Sequence, residues 1–140
     1  MMFGDTETGV VIADGRCGVR LTRLGDADAM GYPTRIEVSA ASLSGVMRDD
    51  AVGFWRFVED LETLHSDLSG EVQIYGDSRF RLKLTGDGRG HIGVQVVVGD
   101  HLNDVELKFR VEIDQTYLPS VIQAMRREFP APAARLASAT

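Results

Sequence analysis

Five apolar residues alternate with four charged ones along Val105-Glu106-Leu107-Lys108-Phe109-Arg110-Val111-Glu112-Ile113. A helix cannot sort such a pattern, because its faces repeat about every 3.6 residues, whereas successive side chains of a strand point to opposite faces. The stretch is therefore a strand with one face buried and one wet, the arrangement of an antiparallel sheet. Earlier stretches carry the same theme. In "RFRLKLTG", Phe80, Leu82 and Leu84 point in while Arg79, Arg81 and Lys83 point out. "EVQIYG" leads into it through the turn Gly76-Asp77-Ser78, and "IGVQVVVG" follows it, which makes a meander of four strands.

The first third also reads as short strands. "TGVVIAD" and "CGVRLTRL" flank Asp14-Gly15, a hairpin signal. Leu24 to Pro33 is a loop of small and acidic residues, and "TRIEVSA" alternates Ile36, Val38 and Ala40 against Arg35, Glu37 and Ser39. A helix is expected from about residue 50 to 66, capped by Asp49 or Asp50 and broken by Gly70. Its apolar stripe is Phe54, Phe57, Val58, Leu61 and Leu64, with Glu59, Asp60 and Glu62 mostly opposite and Trp55 beside the stripe. A second helix, capped by Asp114 or Thr116, carries Leu118, Val121, Ile122, Met125 and Phe129; Pro119 fits its first turn, and Pro130 and Pro132 end it. Residues 1–129 are expected to form one α+β domain: a largely antiparallel sheet of about seven strands with two helices on one face. Residues 130–140 are expected to be a disordered tail. The sequence shows no internal repeat.

Gly88-Arg89-Gly90-His91-Ile92-Gly93 is a literal G-x-G-x-x-G. A dinucleotide site needs those glycines between a strand and a helix, so that the helix N-terminus meets the pyrophosphate. Here "VQVVV" follows, which is β-branched and extended, so the glycines serve a hairpin turn. Asp114, 21 residues after Gly93, matches the spacing of a ribose-binding acid by coincidence. His65, His91 and His101 lack metal-site spacing. His101 with Asp104 reads as a solvated turn, and Cys17 as a half-buried strand residue. Asp26 and Asp28 lack the calcium-loop pattern. No catalytic, cofactor-binding or metal-ligating residue is assigned.

The net charge is −6, and residues 1–67, with 12 acids against 6 bases, account for all of it. Such a balance argues against nucleic acid, which needs a basic stripe, and suits solubility or a basic protein partner. No segment approaches the roughly 20 apolar residues of a membrane span. "MMFGDTETG" lacks the basic start and apolar run of a signal peptide, and the lone Cys17 suits a reducing compartment, so a cytoplasmic protein is expected.

The stretches "FWRFVEDLETL", "LSGEVQIYGDSRFRLKLTGDGRGHIGVQVVV" and "VELKFRVEIDQTYLPSVI" resemble a group of small bacterial proteins that includes the WapI-type immunity proteins. The likeness spans Ile36 to Glu128 and lies in a helix before a G-E-hydrophobic strand, a D-G-x-G hairpin and a "DQTYL" helix start. It implies a non-enzymatic role, binding and blocking a cognate toxin, with no catalytic residues and no cofactor. Toxin-facing surfaces diverge in such families, so the resemblance assigns no contact residues. Composition suggests them instead. Trp55 with Glu59, Asp60 and Glu62 forms one candidate surface, since an aromatic among charges is common at interfaces. The charged sheet face with Arg79, Arg81, Lys83, Lys108 and Arg110 forms another, although cross-strand ion pairs explain the same set. The competing readings are a small-molecule-binding or enzymatic domain with a pocket between sheet and helices, and a self-associating structural subunit.

Overall fold

In a computed structural model of the chain, residues 9–100 and 102–131 are described; "MMFGDTET", His101 and most of the expected tail lie outside them. Eight antiparallel strands form two sheets. The first sheet runs β1 (Val10–Ala13), β2 (Cys17–Arg23), β3 (Tyr32–Ala40) and β4 (Leu43–Val52), paired in that order. After α1 (Trp55–Asp67) the second runs β5 (Ser69–Tyr75), β6 (Arg81–Asp87), β7 (His91–Asp100) and β8 (Val105–Asp114), again in order. A 3-10 turn, Gln115–Tyr117, leads into α2 (Leu118–Glu128). The class is the expected α+β, with eight strands rather than about seven, divided between two sheets. Four strands and a helix occur twice, a repetition of architecture that the sequence does not show.

Inward residues of both sheets meet the helices in one cluster of buried side chains, among them Ile12, Leu21, Ile36, Leu82, Val94, Leu61 and Met125. Full burial of such a side chain contributes about 1.5–3 kcal/mol. An aromatic joint ties the ends of the helices together. Phe54 stacks on Phe129 at 3.9 Å between ring centroids, and Tyr32 meets both Phe129 and Trp55 edge-on at 5.5 and 6.2 Å. The Tyr32 hydroxyl also donates to the Pro130 carbonyl.

Several boundaries differ from the sequence reading. Residues 43–52 form β4, a strand the sequence did not announce, and α1 begins only at Trp55. Neither Asp49 nor Asp50 caps it; Phe54 is the N-cap, with no side-chain hydrogen bond. Gly70 does not end the helix either. Leu68 does, in the left-handed conformation with φ 64°, its N–H donating to the Leu64 carbonyl, and Gly70 lies within β5. Asp114 caps the 3-10 turn before α2, accepting from the Thr116 N–H. The glycine-rich stretch joins β6 to β7, with Gly88 and Gly90 at φ 81° and 100°, so a strand follows it as the sequence indicates.

Asp49 is fully buried and works as a clamp. Its carboxylate accepts from the N–H groups of Ala51 at 3.0 Å, Asp77 at 2.9 Å and Ser78 at 2.8 Å. The last two belong to the β5–β6 turn, so one side chain of the first sheet holds a turn of the second. Gly76 is required there, because a Cβ would lie 2.1 Å from the Asp49 Oδ2. Removing the carboxylate strands three backbone donors, each worth about 1–3 kcal/mol when left unpaired. Asp49→Ala is expected to lower stability by about 2–4 kcal/mol, and Asp49→Asn by less, in urea unfolding; an unchanged midpoint would refute the clamp.

Three turn aspartates have carboxyl pKa values below the usual range. At Asp14, burial presses the value up, but the N–H groups of Cys17, Arg16 and Glu112 outweigh it. The Arg89 N–H lowers Asp87, and the Thr116 hydroxyl and N–H lower Asp114. A depressed carboxyl adds stability that is complete above its unfolded value, 3.8, and is lost as pH falls through the lower folded value. The urea midpoint should therefore drop between about pH 6 and about pH 3. Asp14→Asn should drop less over the same interval, and an equal drop would show that Asp14 contributes nothing to it.

Candidate partner-binding surfaces

Strand register places Arg81, Lys83, Lys108 and Arg110 on the outward face of the second sheet, while Arg79 lies in the turn before β6. Tyr75, Arg81, Val97 and Lys108 form one cross-strand row, and Gln73, Lys83, Gln95 and Arg110 the next. Much of this charge is already matched within the chain. Lys83 lies 3.5 Å from Glu71, Arg110 lies 2.6 Å from Glu112, and Arg79 reaches Asp104 at 3.2 Å and Glu106 at 3.7 Å. Among the described residues, Arg81 and Lys108 have no carboxylate at ion-pair distance. Val97 is buried between them in register, and the Arg81 Nε is buried without a hydrogen-bond partner. Gly93 leaves a depression of about 380 Å³ bordered by Lys83, Gln95 and Arg110.

The α1 surface is separate. Trp55 is half-buried against the core, while Glu59 and Asp60 are exposed. Glu62 pairs with Arg126 of α2. Trp55, Glu59 and Glu62 border a second depression of about 380 Å³ together with Phe129 and Pro130. Asp60 is not part of that lining. The candidate residues thus fall into two groups, which the fold does not bring together.

A third feature escaped the sequence reading. A groove of about 610 Å³ opens between the two sheets, rather than between sheet and helices as the competing reading supposed. Ile36, Val38, Met47, Val98 and Leu107 give it apolar walls. Val46, Leu102 and Val105 line it while remaining 69%, 95% and 56% exposed. None of the three aspartates with lowered pKa values lines it; they hold turns elsewhere. The available signal was the uncharged run Leu43-Ser44-Gly45-Val46-Met47, which is hard to read as a strand without its partner.

The model of the immunity protein WapI-like family matches residues 24–131. The chain belongs to this family. The matched span of this WapI-like protein starts in the loop after β2 and includes the groove, both helices and the whole second sheet. No curated relative matches. A solved structure, that of the plant transcriptional regulator PBF-2, aligns with 97% of this chain and 89% of that chain, at 11% identity and a TM-score of 0.47.

The two α1 candidates differ in what they do for the fold. Trp55→Ala should cost about 2 kcal/mol, less than for a fully buried aromatic. Charge reversal at Glu59 should stay within about 0.5 kcal/mol. Urea unfolding separates the two; equal losses would mean that Glu59 has a structural role.

Proposed function

We propose that this protein is a non-enzymatic immunity protein that binds a cognate toxin and neutralises it in the cytoplasm. The observation that carries the reading is membership of the immunity protein WapI-like family over residues 24–131. The net charge of −6 supports it, because an acidic surface speeds encounter with a basic protein. No helix among the described residues is long and apolar enough to cross a membrane.

Glu59 and Asp60 on α1, and Arg81 and Lys108 on the second sheet, are the proposed charged contacts. Their carboxylates and cations are less committed than those of Glu62, Arg79 and Arg110, which have partners inside the chain. Trp55 would add apolar area beside Glu59.

The test is growth rescue. The product of the adjacent open reading frame is expressed alone and then together with this protein. Arrest by the neighbour alone, and restored growth on co-expression, is the expected result. A neighbour that arrests growth equally in both cases would remove the neutralising role for that pair.

A further inference from the structure

We propose that the outward face of the second sheet holds a site for a small phosphate monoester, in the depression over Gly93. The site goes beyond the immunity reading and stands or falls without it.

Register builds the site as a trough along β7. The outward residues of β7 there, Gly93 and Gln95, are uncharged, while Lys83 rises from β6 on one side and Lys108 and Arg110 from β8 on the other. Adjacent strands lie about 4.8 Å apart, so the two banks of cations stand roughly 10 Å apart across β7. Long side chains from both banks can reach one anion between them. The depression of about 380 Å³ is lined by all three cations, with Thr85 and Gln95, and by no carboxylate among the described residues.

Gly93 is the condition for this convergence. A Cβ there would lie 2.2 Å from a terminal nitrogen of Arg110, so the guanidinium lies over the bare backbone of β7. Arg110 meets Glu112 through Nε at 2.6 Å, which leaves its terminal nitrogens as donors. Lys83 stands 3.5 Å from Glu71, too far for a strong hydrogen bond, and both pairs are partly exposed and therefore weak. Lys108 has no carboxylate at ion-pair distance, because Glu106, the next outward residue of β8, pairs with Arg79. Arg81, in register with Lys108, has none either. Four cations, Arg81, Lys83, Lys108 and Arg110, thus face two carboxylates, Glu71 and Glu112, an excess of two positive charges. Thr85 and Gln95 add a hydroxyl and an amide with no side-chain hydrogen bond among the described residues.

The donors select the ligand. A phosphate monoester carries nearly two negative charges and three strong acceptor oxygens, enough for cations arriving from both sides. A carboxylate has one charge and two oxygens, which a single guanidinium satisfies. The depression is larger than a bare phosphate and lies at the lower end of the range for small-molecule sites, so it leaves room for a small organic group. A nucleic-acid strand, whose charge continues along its length, would be opposed by the net charge of −6.

The test titrates the full chain, in phosphate-free buffer of constant ionic strength, with phenyl phosphate, benzoate and a single-stranded thymidine oligonucleotide. Backbone amide shifts in the NMR spectrum report binding. Phenyl phosphate should move the amides of Gly93, Gln95, Lys108 and Arg110 saturably, with affinity at least about tenfold above that of benzoate. Gly93→Ala keeps every charge but puts a methyl group where the Arg110 nitrogen lies. It should weaken phenyl phosphate at least about fivefold while the melting temperature holds. Lys108→Ala, at an exposed position, is the second variant should the first melt early, with a similar loss expected. No saturable shift with phenyl phosphate overturns the proposal, as does equal affinity for benzoate. Unchanged binding by a folded Gly93→Ala or Lys108→Ala protein would show diffuse attraction in place of a site and overturn it too. An oligonucleotide that binds more tightly per phosphate than phenyl phosphate would assign the face to a nucleic-acid strand, with the same consequence.

Discussion

The buried carboxylate of Asp49 is the constraint on which the relation between the two sheets depends. Taking a charge out of water costs several kcal/mol unless hydrogen bonds replace the lost hydration. Here three backbone N–H groups do so, two of them from the β5–β6 turn. The arrangement is directional in a way that apolar packing is not. It fixes where the turn must sit against β4, and it excludes any side chain at Gly76. Because Ser78 follows in the same turn and lines the groove, the clamp also fixes one boundary of that space. The sheets are held at the Asp49 end of β4, while the Leu43 end keeps its free edge.

The two repeats of four strands and a helix are joined a second time through their aromatic ends. Phe54 precedes α1 and Phe129 follows α2, so their stacking brings the start of one helix to the finish of the other. Tyr32 then links both to the start of β3. Aromatic pairs of this kind contribute about 0.5–1.5 kcal/mol each beyond the area they bury. Trp55 belongs to this joint as much as to the surface, so removing it tests the fold and a binding role together. Glu59 and Asp60 bear no such double duty.

The second sheet was legible because its strands obey one rule. In β6 and β8 inward positions are large and apolar and outward positions are mostly charged, and Gly76-Asp77-Ser78 and the glycine-rich stretch fall at the turns that join the strands. β4 broke that rule. Its inward-side residues include Gly45, Met47 and Asp49, a small residue, a flexible one and a charge, so no period-two signal survives. The adjacent acids then imitated a helix cap. Asp49 is a hydrogen-bond acceptor for backbone N–H groups, as a cap would be, but two of its three donors lie 28 and 29 residues away. Such a contact carries no local signature. The same holds for the candidate surfaces. The cation rows of the second sheet follow from alternation once the meander is known, whereas the groove brings together residues from β3, β4, β7 and β8 that no spacing rule connects.

The placement of charge and of exposed apolar area suggests a division of labour at a partner surface. The outward cations of the second sheet are mostly paired with neighbouring carboxylates, and exposed pairs of this kind contribute about 0–1 kcal/mol. They keep a sheet face wet and in register more than they supply affinity. The unbalanced charge lies elsewhere, in residues 1–67, and its field acts over a distance of about 8–10 Å in physiological salt. That range suits steering a basic partner toward the protein. Affinity at contact requires area removed from water, and Val46, Leu102 and Val105 present such area beside an unguarded backbone edge. A like-charged copy of the same chain would be opposed by the first effect before it could use the second. The combination therefore favours a partner of opposite charge over self-association.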